Sequence, residues 1–91
     1  MGDSSKERIQ EAIRDFLRDN FPLGQQQGLA MGDRLLEEGI VDSLGLLLII
    51  EFIEGTYDVT VRDMDVVVAN FETIAAIADF VLLLKDQKPD L

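Results

Sequence analysis

Hydrophobic residues recur every three or four positions in three stretches of the chain, and this spacing predicts three amphipathic helices. The first helix is predicted over residues 5–20, because Ser4 and Glu7 have the spacing of a capping box. We expect its apolar residues to face a core. These residues are Ile9, Ala12, Ile13, Phe16, Leu17 and Phe21.

The second predicted helix follows Asp42 and Ser43, two residue types that cap helices, and ends near Glu54 or Gly55. Positions three and four residues apart are apolar along it, which predicts one buried face. The residues of this predicted face are Leu44, Leu47, Leu48, Phe52 and Ile53.

The last predicted helix begins after a cap at Asn70 or Thr73. Lys85 and Lys88 near its C-terminal end complement the helix dipole, and Pro89 closes the folded region. The residues expected on its inner face are Ile74, Ile77, Ala78, Val81 and Leu82.

The connection between the first two helices is long and rich in residues that break periodicity, among them Pro22, Gly24, Gly28 and Gly32. We expect it to be structured, because it holds apolar residues that can pack. These are Leu29, Leu35, Leu36, Ile40 and Val41. Residues 63–68 are predicted to form one or two short helical turns, and residues 59–61 are too few to establish a strand.

These elements predict an all-α protein: an antiparallel four-helix bundle of three longer helices and one short helix, with a long structured loop between helices one and two. We expect residues 1–91 to form a single domain, with residues 1–3 and 89–91 as disordered tails.

The charge of the chain restricts its partners. There are 18 acidic and 8 basic residues among 91, and the net charge of -10 repels nucleic acid and favours partners with basic patches. The longest apolar run, residues 46–50, is far shorter than the ~20 residues that span a bilayer, so we expect a cytoplasmic protein without membrane insertion. Cysteine and histidine are absent, so we expect neither a catalytic residue nor a metal site.

The segment around Ser43 is the candidate for chemistry. A serine hydroxyl at the first turn of a helix is exposed and faces backbone amide groups that favour anions, so a phosphodiester would be stable there. The alternative is that Ser43 only caps the helix, which is a common role for serine.

The wider sequence resembles the acyl and peptidyl carrier protein family over nearly the whole chain. Residues 33–44 read Asp-Arg-Leu-Leu-Glu-Glu-Gly-Ile-Val-Asp-Ser-Leu, and residues 71–78 read Phe-Glu-Thr-Ile-Ala-Ala-Ile-Ala. The order of the leucine, the glycine and the Asp-Ser-Leu triplet, together with the Phe-x-Thr-Ile start of the last helix, has the separations usual in that family.

The resemblance implies that Ser43, between Asp42 and Leu44, receives 4'-phosphopantetheine from coenzyme A through a phosphopantetheinyl transferase. The cargo would be an acyl or aminoacyl thioester on this arm. Implied partners are a loading ligase or synthase and a downstream transferase, and the carrier itself would be a non-catalytic monomer. Because the chain has no cysteine, the thiol would arrive on the arm, whose flexible tether raises the effective concentration of the cargo at a docked partner.

We expect partners to contact acidic and apolar residues near Ser43, namely Glu38, Leu48, Glu51 and Glu54. Residues 45–50 are more apolar than the corresponding residues of common fatty-acid carriers. Part of this apolar surface either faces partners or, at Leu46, Ile49 and Ile50, is covered by neighbouring loops. Residues 55–58, Gly-Thr-Tyr-Asp, also depart from the family's usual acidic residue followed by Phe-Gly. Both departures favour a carrier of a specialised biosynthetic pathway.

A cofactor-free acidic helical module for protein interaction is the main alternative. An enzyme is disfavoured because Ser43 has no histidine to activate it. Calcium binding is disfavoured as well, since Asp63 and Asp65 begin like an EF-hand loop but the required glycine is replaced by Val68.

Overall fold

The three stretches of helical spacing form three helices in the computed structural model, which describes residues 4–22 and 28–87. Within these residues the protein is all-α and contains no strand. The elements are α1 (Ser4–Asn20), α2 (Ser43–Tyr57), a 3₁₀ helix (Asp63–Asp65), α3 (Val68–Phe71) and α4 (Ile74–Gln87). None of these described helices combines the length and the apolar character needed to cross a membrane.

The prediction of α1 is confirmed, although the helix begins one residue earlier, at Ser4. Some predictions concern residues or side chains outside the described part of the chain. These are the tails at residues 1–3 and 89–91, the Ser4 cap, Gly24, Lys88 and Pro89.

The core is built around α4, against which α1, α2 and α3 each pack. Fully buried side chains come from all four helices, and each contributes roughly 1.5–3 kcal/mol through burial. Examples are Ile13 and Leu17 of α1, Ile49 and Ile53 of α2, Phe71 of α3, and Ile77 and Val81 of α4. The radius of gyration of 12.7 Å is close to the roughly 12 Å expected for a folded chain of this length.

In the described part of the loop that precedes α2, residues 28–42, apolar side chains pack against the core. Leu29, Leu35, Ile40 and Val41 are buried and Leu36 is half-buried against the core. The backbone also joins this loop to the start of α4, because Leu35 N donates to Glu72 O at 2.8 Å and Ala75 N donates to Met31 O at 3.1 Å. The loop therefore holds the residues just before Ser43 against the core.

The predicted buried face of α2 is wrong in part. Leu44, Leu47 and Leu48 are exposed, whereas Gly45, Ile49 and Ile53 are buried, at positions i, i+4 and i+8. Leu46, Ile50 and Phe52 are half-buried against the core. The helix is thus rotated by about one residue from the expected orientation, because an apolar run without polar residues gives no contrast from which to read a face.

The end of α2 also differs from the prediction. The helix continues through Gly55 to Tyr57, and Asp58 takes the left-handed conformation that ends it, with φ 56° and ψ 49°. Glycine is the usual residue for this conformation, but aspartate tolerates it, so the last turn lies beyond the glycine.

The start of α4 resolves the choice between two predicted caps. Thr73 Oγ1 accepts a hydrogen bond from Ala76 N at 2.9 Å, so Thr73 is the cap. Asn70 lies in α3 instead, where its side-chain amide donates to Asp65 O at 2.8 Å. Of residues 63–68, predicted to form one or two short helical turns, residues 63–65 form a 3₁₀ turn, residues 66 and 67 are not helical, and Val68 begins α3.

Candidate functional site

Ser43 is the first residue of α2, and Asp42 precedes it as the N-cap. Asp42 has an extended backbone (φ −102°, ψ −173°), and its carboxylate accepts a hydrogen bond from Gly45 N at 2.7 Å. Leu46 N donates to the Asp42 carbonyl oxygen at 2.9 Å, which closes the first turn of the helix. The residue that caps α2 is therefore Asp42.

The hydroxyl of Ser43 is the candidate reactive group of this segment. Ser43 is exposed, and its hydroxyl makes no hydrogen bond to any residue that the structure describes. The interpretation of Ser43 as the helix cap is wrong, because Asp42 already satisfies the amide that a capping serine would bind. The amides of Ser43 and Leu44 lie in the first turn, where no intrahelical acceptor exists for them, so the site favours a negative group.

Three exposed leucines follow Ser43 on the outer side of α2. The exposed fractions of Leu44, Leu47 and Leu48 are 68%, 56% and 42%, and the spacing of three and four residues places them on one helix face. We call this surface the outer leucine stripe. It begins at the residue next to Ser43, so Leu48 is exposed as its predicted contact with partners requires.

The acidic residues predicted to meet partners differ in their surroundings. Glu51 is exposed on α2. Glu38 is exposed in the loop, and its carboxylate accepts a hydrogen bond from Arg34 N at 3.3 Å. Glu54 is half-buried and its carboxylate accepts a hydrogen bond from Val61 N at 2.9 Å, so it holds the segment that follows α2. Of these residues, Glu51 is the most accessible charge on α2.

The neighbouring Glu37 is paired within the loop. Its carboxylate lies 2.7 Å from Arg34 Nη1, and this hydrogen bond raises the pKa of the Arg34 guanidinium. Both side chains are exposed, so the pair adds little stability. Among the described residues, neither Glu38 nor Glu51 forms a salt bridge of this kind.

Sequence reasoning missed two residues beneath the Ser43 turn. Gly45 is buried in the first turn of α2, and the ring of Phe21 packs directly against it. Phe21 was expected in the core but not at this site. A glycine three residues after a cap, in the otherwise apolar run of residues 44–50, was the signal that another group approaches the backbone there.

Comparisons with known proteins do not identify a family. No model of a known protein family matches the chain, and no curated protein matches it.

Proposed function

We propose that this protein is a carrier that holds an acyl or aminoacyl cargo as a thioester on 4'-phosphopantetheine attached to Ser43. The observation that carries the proposal is the exposed Ser43 hydroxyl at the start of α2. This hydroxyl does not cap the helix, because the Asp42 carboxylate does. A phosphodiester at this oxygen would lie beside the free amides of the first turn, where the helix dipole stabilises negative charge.

The proposed attachment requires a transferase and coenzyme A. Ser43 Oγ forms a bond to the phosphorus of the phosphopantetheine moiety, the pyrophosphate bond breaks, and the adenosine bisphosphate leaves. The hydroxyl proton passes to a base of the transferase, because the chain itself has no histidine or cysteine. The thiol of the attached arm then takes the cargo from a loading ligase or synthase and delivers it to a downstream transferase.

The fold is consistent with such a carrier. We further propose that the longer helices form an antiparallel bundle, with α4 packed against the other helices and α3 as the short fourth member. In this arrangement the loop before α2 is pinned to the α3–α4 junction through Leu35 and Met31. The bundle then serves as a rigid platform that presents Ser43 and the outer leucine stripe.

Loading with coenzyme A and a promiscuous phosphopantetheinyl transferase tests the proposal. The intact mass of the wild-type protein should rise by that of one phosphopantetheine, and Ser43→Ala should stay folded but unmodified. Ser5→Ala is the matched control, because Ser5 is also an exposed serine in the first turn of a helix. A wild-type protein that is not modified, or a Ser43→Ala protein that is, would overturn the assignment.

A cofactor-free interaction module is the second candidate. The outer leucine stripe favours it, because contiguous exposed leucines on one helix face are typical of a docking surface. The same mass measurement separates the candidates, since only a carrier gains the arm.

A further inference from the structure

The ring of Phe21 occupies the space beneath the backbone that presents Ser43. A Cβ atom built on Gly45 would lie 2.5 Å from Cε1 and 3.0 Å from Cζ of Phe21. Carbon atoms ordinarily pack at about 3.5–4.0 Å, so the ring edge leaves no room there for any side chain. The first turn of α2 therefore lies directly on the ring.

The position of this ring is set by α1. Phe21 N donates to Leu17 O at 2.9 Å, which continues the hydrogen bonds of α1 by one residue. The Phe21 ring meets the ring of Phe16 edge-on, with centroids 6.2 Å apart and an interplanar angle of 70°. Only 8% of Phe21 is exposed, so the ring has little freedom to move away from Gly45.

Asp42 holds Gly45 from a second side. Its Oδ1 accepts the Gly45 N–H at 2.7 Å and would lie 3.2 Å from the same added Cβ atom. Ser43 and Leu44, between these two residues, are exposed. The packing that fixes the turn therefore comes from its ends, and the direction of Ser43 Oγ depends on how Gly45 sits on Phe21.

We propose that Phe21 is a positioning residue for the loading of Ser43 and acts through Gly45. This inference rests on the proposed function. Ser43 Oγ keeps a fixed position relative to a transferase bound to the outside of α2 only if the first turn of α2 stays packed against the Phe21 ring. Displacement of a reacting atom by about 1 Å can lower a rate on the order of a hundredfold, so a small shift of the turn affects loading strongly.

The test compares loading kinetics of Gly45→Ala, Phe21→Leu and the double variant with wild type. Gly45→Ala should lower kcat for loading by about tenfold or more while KM for the carrier changes little, because the outer surface of α2 is unaltered. Leucine lacks the two ring atoms that the new Cβ would meet, so the double variant should recover most of the lost kcat. Gly55→Ala is the matched control, because nothing lies within 4 Å of a Cβ on Gly55.

A second measurement does not depend on loading. Protection of the residue 45 amide against hydrogen exchange should be lower in Gly45→Ala and in Phe21→Leu than in wild type. In the double variant this protection should be higher than in Gly45→Ala. If Gly45→Ala fails to fold, Phe21→Leu decides alone: faster exchange with lower kcat supports the inference, and unchanged values overturn it.

Two outcomes separate this inference from the proposed function. If the wild-type protein is loaded but Gly45→Ala is loaded with the wild-type kcat, or the double variant is no better than Gly45→Ala, only the role of Phe21 is overturned. If the wild-type protein is not loaded at all, the proposed function fails and the inference fails with it.

Discussion

Asp42 and Ser43 are neighbours, yet their replacement by alanine should affect stability very differently. Asp42→Ala removes the carboxylate that accepts Gly45 N–H at 2.7 Å and leaves that amide without its partner. Loss of such a cap costs about 0.5–2 kcal/mol, and in a domain of this size 1 kcal/mol corresponds to a shift in Tm of roughly 4–8 °C. Ser43→Ala deletes an exposed hydroxyl without a described partner, so its free energy of unfolding should stay within about 0.5 kcal/mol of wild type.

Urea unfolding followed by far-UV circular dichroism measures both effects, provided that the m-values agree. Asp42→Asn is the control, because asparagine keeps the acceptor oxygen and caps helices about as well as aspartate. It should lose only the interaction of the charge with the helix dipole, about 0.3–1 kcal/mol at low ionic strength. If Ser43→Ala is destabilised as much as Asp42→Ala, Ser43 has a structural role, and the argument that its hydroxyl is kept for chemistry fails.

Ile49→Ala should lower the free energy of unfolding by about 2–5 kcal/mol and Leu48→Ala by less than about 1 kcal/mol, because Ile49 is 1% exposed and Leu48 is 42% exposed. Equal losses of stability for the two variants in urea unfolding would contradict the orientation of α2. Burial raises the pKa of Tyr57 in the folded protein above its value of about 10 in the unfolded chain. The contribution of the protonated Tyr57 to the stability of the fold is therefore fully present below about pH 10, and it is lost as the pH rises through the folded pKa. An absorbance titration of this single tyrosine should have a higher midpoint in the folded protein than in urea, and coinciding midpoints would refute the shift. If the carrier proposal holds, Glu51→Gln should slow association with the transferase and weaken the dependence of the association rate on salt. Glu11→Gln makes the same change of charge on α1 and should have a much smaller effect. Equal effects of the two variants in stopped-flow binding would exclude electrostatic steering by the charge on α2.

Much of the fold follows from local patterns in the sequence. The apolar residues of α1 alternate with charged ones, so the buried positions Ile9, Ile13 and Leu17 are evident from spacing alone. The loop before α2 is likewise readable, because isolated apolar residues such as Leu35 and Val41 among polar neighbours must find a core. The position of Ser43 in the first turn of a helix was also predictable, since cap residues precede a helical run there.

Other features of the site depend on contacts between distant residues. The run at residues 46–50 is apolar throughout, so hydrophobic spacing cannot say which side of α2 is buried. Packing decides it: Gly45 lets the helix approach Phe21, and this contact directs Ile49 and Ile53 inward and leaves Leu44, Leu47 and Leu48 outside.

The sequence by itself therefore determined the helical elements, most of the core and the position of Ser43 in the first turn of a helix. Only the tertiary structure decided which residue caps α2, where α2 ends and which of its faces is exposed. The physical reason is the distance along the chain over which each contact acts. Helix formation and amphipathic burial depend on neighbours a few residues apart, whereas the rotation of a helix that begins with an apolar run is set by contacts between residues far apart in the sequence, such as that of Phe21 with Gly45.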